Sequence, residues 1–239
     1  MKKIWIRNVG LLKNVATFFI LIDKTCTMSF YWIKTNPLIK KIFSNYVWDI
    51  HNTENKIYLT FDDGPTPEIT EWVLEELKKY KAKATFFCIG NNIEKHPIIF
   101  TKLINEGHSI GNHTFNHLNG WKTSTKEYLE NLRLCEVSIS NLQSANCNLF
   151  RPPYGKIKPS QSKKIRKSGY KIIMWDVLSG DYDSSISPQK CLENVLENVR
   201  SGSIIVFHDS IKAFPNLEYT LPRVLENLSK KGFIFDAIS

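Results

Sequence analysis

The sequence predicts an α/β fold of seven strands alternating with helices. Three observations carry that expectation. From residue 56 onward, short β-rich apolar runs alternate with amphipathic segments of helical period. Helices inserted between successive strands favour parallel pairing through right-handed crossovers. The polar residues able to do chemistry fall at the carboxyl ends of strands, where a parallel barrel gathers its site. Seven strands can form either a closed barrel or an open doubly wound sheet. No GxGxxG or P-loop occurs, so a nucleotide-binding sheet loses its main support.

KIYLTF (56–61) is the first strand, ended by Asp62-Asp63-Gly64-Pro65. A helix follows, with Thr66 as its cap and Pro67 at its first position. Ile69, Trp72, Val73 and Leu77 form one face, and Lys78 and Lys79 close it. ATFFCI (84–89) is the next strand, residues 97–107 a helix stopped by Gly107, and HSIG (108–111) a third strand. Ser124 to Glu127 form a capping box that opens a long helix to about residue 144. NLF (148–150) is a brief strand, residues 159–169 a helix, and YKIIMWDV (170–177) a strand. Ser187-Pro188 starts a helix to about Arg200, and SIIVF (203–207) is a strand. A helix interrupted near Pro222 and a final strand, FIFDA (233–237), complete the chain.

The 239 residues suit one catalytic domain, taken as 51–239, with an N-terminal extension over 1–50. The net charge is +9, but the lysines are spread over helix faces and turns without a run of five. No nucleic-acid partner is expected from that distribution. The five cysteines form no CxxC, so neither a disulfide framework nor a cysteine zinc site is indicated. Residues 1–27 open with MKKIWIR and continue into VGLLKNVATFFILI, like the charged and apolar regions of a signal peptide. Lys13 interrupts the stretch and no small-x-small cleavage site follows. Three readings stay open: a signal or anchor, an amphipathic helix, or a true start at Met28. The last places the protein in the cytoplasm, and the first makes it anchored or exported. Any membrane contact is expected only through residues 1–27.

Asp62 and Asp63 are adjacent carboxylates, which repel unless a cation or proton compensates them. His113 and His117 are four residues apart, close enough on one helical turn to grip one metal. With a carboxylate from another strand end they supply the three-ligand set of an open zinc site. In Arg151-Pro152-Pro153-Tyr154-Gly155, the prolines remove two N–H groups and leave that of Tyr154 as a fixed donor. The Arg151 guanidinium can hold a carboxylate and keep it ionised. His208 ends the sixth strand, and alternation puts Val206 on its face. Asp176 is a carboxylate able to orient His208 or pair with Arg151. Trp121 and Tyr182 are candidates to stack on sugar rings, with burial the simpler reading.

In chain order TFDDGP (60–65), HTFNH (113–117), RPPYG (151–155), WDVLSGDYD (175–183) and IIVFHD (204–209) resemble the polysaccharide deacetylase family. Its shared catalytic domain is called the NodB homology domain, or carbohydrate esterase family 4. The resemblance covers roughly residues 56–238 and rests on several motifs in the right order and spacing. It implies a distorted (β/α)7 barrel, here a single catalytic domain with a short N-terminal extension. It implies Asp63, His113 and His117 as ligands of a divalent metal, Zn²⁺, and Asp62 as the catalytic base. Arg151 matches the residue that positions the base, the Tyr154 N–H the oxyanion donor, and His208 the catalytic acid. Val206 and Leu178 are candidates to line an acetyl pocket.

The implied activity is metal-dependent removal of N-acetyl groups from an N-acetylglucosamine-type glycan. A weakly catalytic glycan-binding protein and a hydrolase of another non-peptide C–N bond are the alternatives. One departure matters. Many members carry an Asp three residues after the tryptophan of the fourth motif, where Leu178 stands here. Asp176, of the same strand parity, and Asp181, which matches a second family Asp, are the candidate partners of His208.

Overall fold

The structure is a computed structural model in which residues 32–142 and 147–239 are described. The segment 1–27, with its leader-like pattern and the Met28 start, lies outside the described residues. Among the described residues no helix is long and apolar enough to cross a membrane.

The centre of the sheet is β1 (Lys56–Asp62), a run buried on both faces. On one side follow β2 (Ala84–Cys88), β3 (Ser109–Asn112), β4 (Leu149–Phe150) and β5 (Lys171–Ile172). On the other lie β7 (Ile204–His208) and then β6 (Val177–Leu178). The order is β5-β4-β3-β2-β1-β7-β6, and every pairing is parallel. A short β8 (Ile234–Phe235) pairs with Lys56 and Ile57 at the start of β1. The sheet curls into a distorted half-barrel surrounded by helices, as the barrel reading requires.

The helices are α1 (Pro37–Ile42), α2 (Ile69–Lys79), α3 (Gly90–Lys95), α4 (Pro97–Asn105), α5 (Thr125–Ser140), α6 (Pro159–Lys167), α7 (Pro188–Leu196) and α8 (Phe214–Lys230). Ser124 Oγ accepts from Glu127 N–H at 3.2 Å and Ser187 Oγ from Lys190 N–H at 3.1 Å, so both predicted caps form. Four expectations change. The helix after β1 starts at Ile69 with Glu68 at its cap position, so Thr66 stands two residues too early to cap it, and its N–H donates to Thr70 Oγ1 at 2.7 Å. α3 is additional. α8 runs unbroken through Pro222. The predicted strand 170–177 is two pieces, β5 and β6, which form opposite edges of the curled sheet.

That break leaves residues 173–176 spanning the gap. Residues 33–50 pack there: Lys34 bridges to Val177, Val47 to Ile173 and Asp49 to Ser203. The pleat sorts the rest. Ile57, Leu59, Phe61, Ile205 and Phe207 face the helices in the main core, with Phe61 stacked on Phe86 at 5.0 Å and on Phe207 at 5.9 Å. The alternate residues point into the barrel. Tyr58, Phe87, Leu149, Ile173 and Ile204 fill its floor. In register, Thr60 then pairs with Val206, and Asp62 with His208. The barrel therefore grades from apolar floor to polar rim along two neighbouring strands.

Candidate active site

Asp63, His113 and His117 offer ligand atoms that all lie within 4.8 Å of one another. Asp63 Oδ1 is 3.2 Å from His117 Nε2 and 3.7 Å from His113 Nε2. His113 Nδ1 bonds the Arg151 carbonyl at 2.8 Å, so that nitrogen carries the proton and Nε2 presents a lone pair. Burial holds the His113 pKa down to about 4, against the opposing pull of Asp62, and so keeps the neutral, ligating form. Burial likewise lowers that of His117. Asp63 Oδ1 is buried with no hydrogen-bond partner. An orphaned carboxylate oxygen facing two imidazole lone pairs fits a divalent cation, and the N₂O donor set is that of an open zinc site.

Backbone strain holds these groups in place. Asp63 (φ 85°), Thr114 (φ 64°), His117 (φ 54°) and Tyr154 (φ 60°) all adopt left-handed conformations that cost non-glycine residues energy. Three asparagines, Asn112 and Asn131 buried and Asn92 partly so, tie the strained loops. Asn92 Nδ2 donates to Asp63 O at 2.8 Å, and Asn112 Oδ1 accepts from Thr114 N–H at 2.9 Å. Asn131 Oδ1 accepts from both Phe115 and Asn116 N–H at 2.9 Å. Sequence reasoning missed all three. The available signal was Asn131, a polar residue on the same helical stripe as the buried Tyr128, Leu132 and Cys135.

Arg151 is fully buried, stacked 4.2 Å from the Phe87 ring centre. Its Nη1 donates to Asp62 Oδ1 at 2.7 Å and to Thr60 Oγ1 at 2.6 Å. Its other nitrogens donate to Ile173 O at 3.3 Å and Met174 O at 3.0 Å. Those carbonyls belong to the segment where the predicted strand breaks. One guanidinium thus satisfies the gap in the sheet and clamps the carboxylate at the rim. Burial pushes the Asp62 pKa up, but Arg151, His113 and His208 outweigh it and the carboxyl is held below its ordinary value.

His208 is paired with Asp181. Asp181 Oδ1 lies 2.8 Å from His208 Nδ1, and Oδ2 accepts the His208 backbone N–H at 2.7 Å. Burial would lower the imidazole pKa, but Asp181 overrides it, with Asp63 and Asp62 adding, and the pKa rises to about 9. Asn216 Nδ2 donates to the carbonyls of Asp181 (3.1 Å) and Asp183 (3.2 Å), fixing that turn.

Asp176 is not brought to this site. It precedes β6, at the opposite end of the barrel, where it is fully buried against Lys34 (2.5 Å), Lys40 and Ser203 Oγ (2.6 Å). Leu178 and Val206 are register partners, both buried, one layer below His208. Tyr154 is 60% exposed, its ring 4.5 Å from that of His117. Trp121, for which burial was the simpler reading, is 43% exposed and donates through Nε1 to Ile157 O at 3.3 Å. Tyr182 is half-buried, edge-on to His208 at 5.1 Å.

With this geometry in view, the chain belongs to the polysaccharide deacetylase family, whose family profile matches residues 49–173. It is 35% identical over 193 residues to a peptidoglycan-N-acetylglucosamine deacetylase of Bacillus cereus, covering 80% of this chain and 90% of that protein. A chitooligosaccharide deacetylase of Azorhizobium caulinodans is 33% identical over 161 residues, covering 67% of this chain and 76% of that one. Among solved structures, the Bc1960 peptidoglycan N-acetylglucosamine deacetylase superimposes with a TM-score of 0.79 at 32% identity, covering 85% of this chain and 95% of that one. The peptidoglycan deacetylase PdaC from Bacillus subtilis gives a TM-score of 0.71 at 27% identity, covering 79% and 90%.

Proposed function

We propose that this chain is a metal-dependent hydrolase that removes N-acetyl groups from N-acetylglucosamine-type residues of a polysaccharide or oligosaccharide, releasing acetate. The observation that carries this reading is the pair of oppositely tuned groups on neighbouring strands. Asp62 is kept ionised by Arg151 and His208 is kept protonated by Asp181, and both face the Asp63–His113–His117 cluster. A base and an acid held apart in pKa beside a three-ligand cation site are what hydrolysis of an amide requires.

A divalent cation held by Asp63, His113 and His117, Zn²⁺ by the donor set, supplies Lewis acidity to a carbonyl and a water. Asp62 takes the proton of the attacking water on Oδ2, since Oδ1 is committed to Arg151. The Tyr154 N–H, in the left-handed turn after two prolines, takes the role of donor to the developing oxyanion in this reading; removing one such donor typically costs roughly 10²–10³ in rate. His208 carries its proton on Nε2 toward the departing sugar nitrogen, because Nδ1 is held by Asp181. Leu178 and Val206 offer an apolar floor for the acetyl methyl. The similarity to peptidoglycan and chitooligosaccharide deacetylases supports an N-acetylated glycan as substrate.

The test is acetate release from N-acetylglucosamine oligomers and from peptidoglycan strands, with Zn²⁺ and with chelator. Release that stops on chelation and returns with Zn²⁺ is expected. Release that survives both chelation and His113→Ala would sink the metal mechanism. Binding of the glycan with no release would leave only the binding function.

A further inference from the structure

The acid side of the site carries a cation, Lys212, that no carboxylate among the described residues answers. Lys212 is exposed, in the turn between β7 and α8, and its Nζ lies 5.8 Å from the Tyr182 ring centre. Tyr182 in turn stands 5.1 Å from the His208 ring. The ammonium is therefore held within the span of one or two sugar rings of the acid. The turn that carries it is fixed, since the N–H groups of Ala213 and Phe214 both donate to Ser210 O at 3.1 Å. Its aromatic platform is fixed too, because Asn216 clamps the Asp181–Asp183 turn.

The acidic groups nearby are otherwise engaged. Asp209 is buried, accepting from Thr70 Oγ1 at 2.5 Å and from Gly64 N–H at 3.0 Å. Asp183 Oδ1 accepts from Ser185 N–H at 2.9 Å and Ser185 Oγ at 2.6 Å. Asp181 is spent on His208, and Asp62 on Arg151. On the metal side, Lys156 repeats the device, its Nζ 5.3 Å from the Trp121 ring centre. A lysine oriented over an aromatic ring, at the edge of a site and without a counter-ion among the described residues, is complementary to an anion that arrives with the ligand.

We propose that Lys212 reads a carboxylate on the glycan, so that this site prefers N-acetylated glycans bearing carboxylates over neutral ones. The proposal rests on the deacetylase reading above and names its substrate class. The attraction acts on binding more than on the chemical step, because the ammonium does not touch the reacting amide.

The test uses Zn²⁺-loaded full-length protein and peptide-free strands of alternating N-acetylglucosamine and N-acetylmuramic acid, with their lactyl carboxylates either free or converted to neutral amides. Wild type is expected to show higher kcat/KM on the acidic strands. Lys212→Ala should lower that value about fivefold through KM, the size of a favourable rim ion pair, and leave the amidated strands within about twofold. Lys212→Arg should retain the preference and Lys212→Glu should reverse it. A preference that appears only on strands still carrying peptide stems would overturn the proposal, since the carboxylate read would then be the peptide's. Equal losses on acidic and amidated strands, or no loss on either while acetate is released, would overturn the proposal. No acetate release from any strand by wild type would instead overturn the deacetylase reading, and this with it.

Discussion

Replacing Asp181 by Asn tests the acid half of the site. Asp181 contacts His208 twice, through Nδ1 at 2.8 Å and the backbone N–H at 2.7 Å, and it is the main cause holding the imidazole pKa at about 9 against burial. Without it, the pKa returns to about 6.5 or below, a shift worth roughly 3 kcal/mol between the two protonation states. At pH 8 the protonated fraction would fall from about nine-tenths to about 3%, a loss near 30-fold. At pH 6 both forms stay mostly protonated, and the same ratio is within about twofold. Any loss of ring orientation lowers the rate at both pH values alike. The ratio of initial acetate-release rates at pH 8 and pH 6 therefore isolates the charge effect. The alkaline limb of kcat should move from about pH 9 to near or below 6.5. A limb that stays in place would refute the assignment of Asp181 as the group that keeps His208 protonated.

Three further outcomes follow from the same geometry. Arg151→Ala should cost about 3–5 kcal/mol in urea unfolding, because it strands the buried Asp62 carboxylate and two carbonyls; a loss under about 1 kcal/mol would show the clamp to be dispensable. Gly64→Ala would place a Cβ 2.0 Å from Asp209 Oδ2, so a stability loss of about 1–3 kcal/mol by thermal melt is expected, and an unchanged midpoint would contradict that packing. Asp176→Asn should destabilise the fold by roughly 1–3 kcal/mol through Lys34 and Lys40 yet leave the pH profile in place. A displaced alkaline limb in that variant would tie Asp176 to His208 after all.

The rim of the site was legible because strand ends were legible. Asp62 and His208 each close an apolar run whose period is short and clear, and the register of β1 with β7 pairs them directly. The floor of the barrel followed from the same parity. The break at residues 173–176 was not legible, since IIMW continues an apolar strand-like run and its lost pairing is answered from distant parts of the chain, by Arg151 and by residues around Thr35 and Val47. α3 spans six residues, too few for a helical period to register.

The choice between Asp176 and Asp181 turned on where β6 begins. Strand parity placed Asp176 on the face of Leu178, but the strand starts at Val177 and leaves Asp176 at the amino end with Lys34 and Lys40. Gly180, at φ 81°, then turns the chain so that Asp181 reaches His208. Neither the glycine's conformation nor the Asn216 clamp has a local signature.

The division of labour between the two adjacent aspartates is the claim on which the rest depends. Zn²⁺ titration by calorimetry and acetate release, measured on the same preparations of Asp62→Asn and Asp63→Asn, test it most directly. Asp62→Asn should bind Zn²⁺ at one site with near wild-type affinity while its turnover falls at least about 10²-fold. Asp63→Asn should lose the cation along with the rate. Loss of Zn²⁺ in Asp62→Asn, or wild-type turnover in that variant, would contradict the assignment of Asp63 to the metal and Asp62 to the proton.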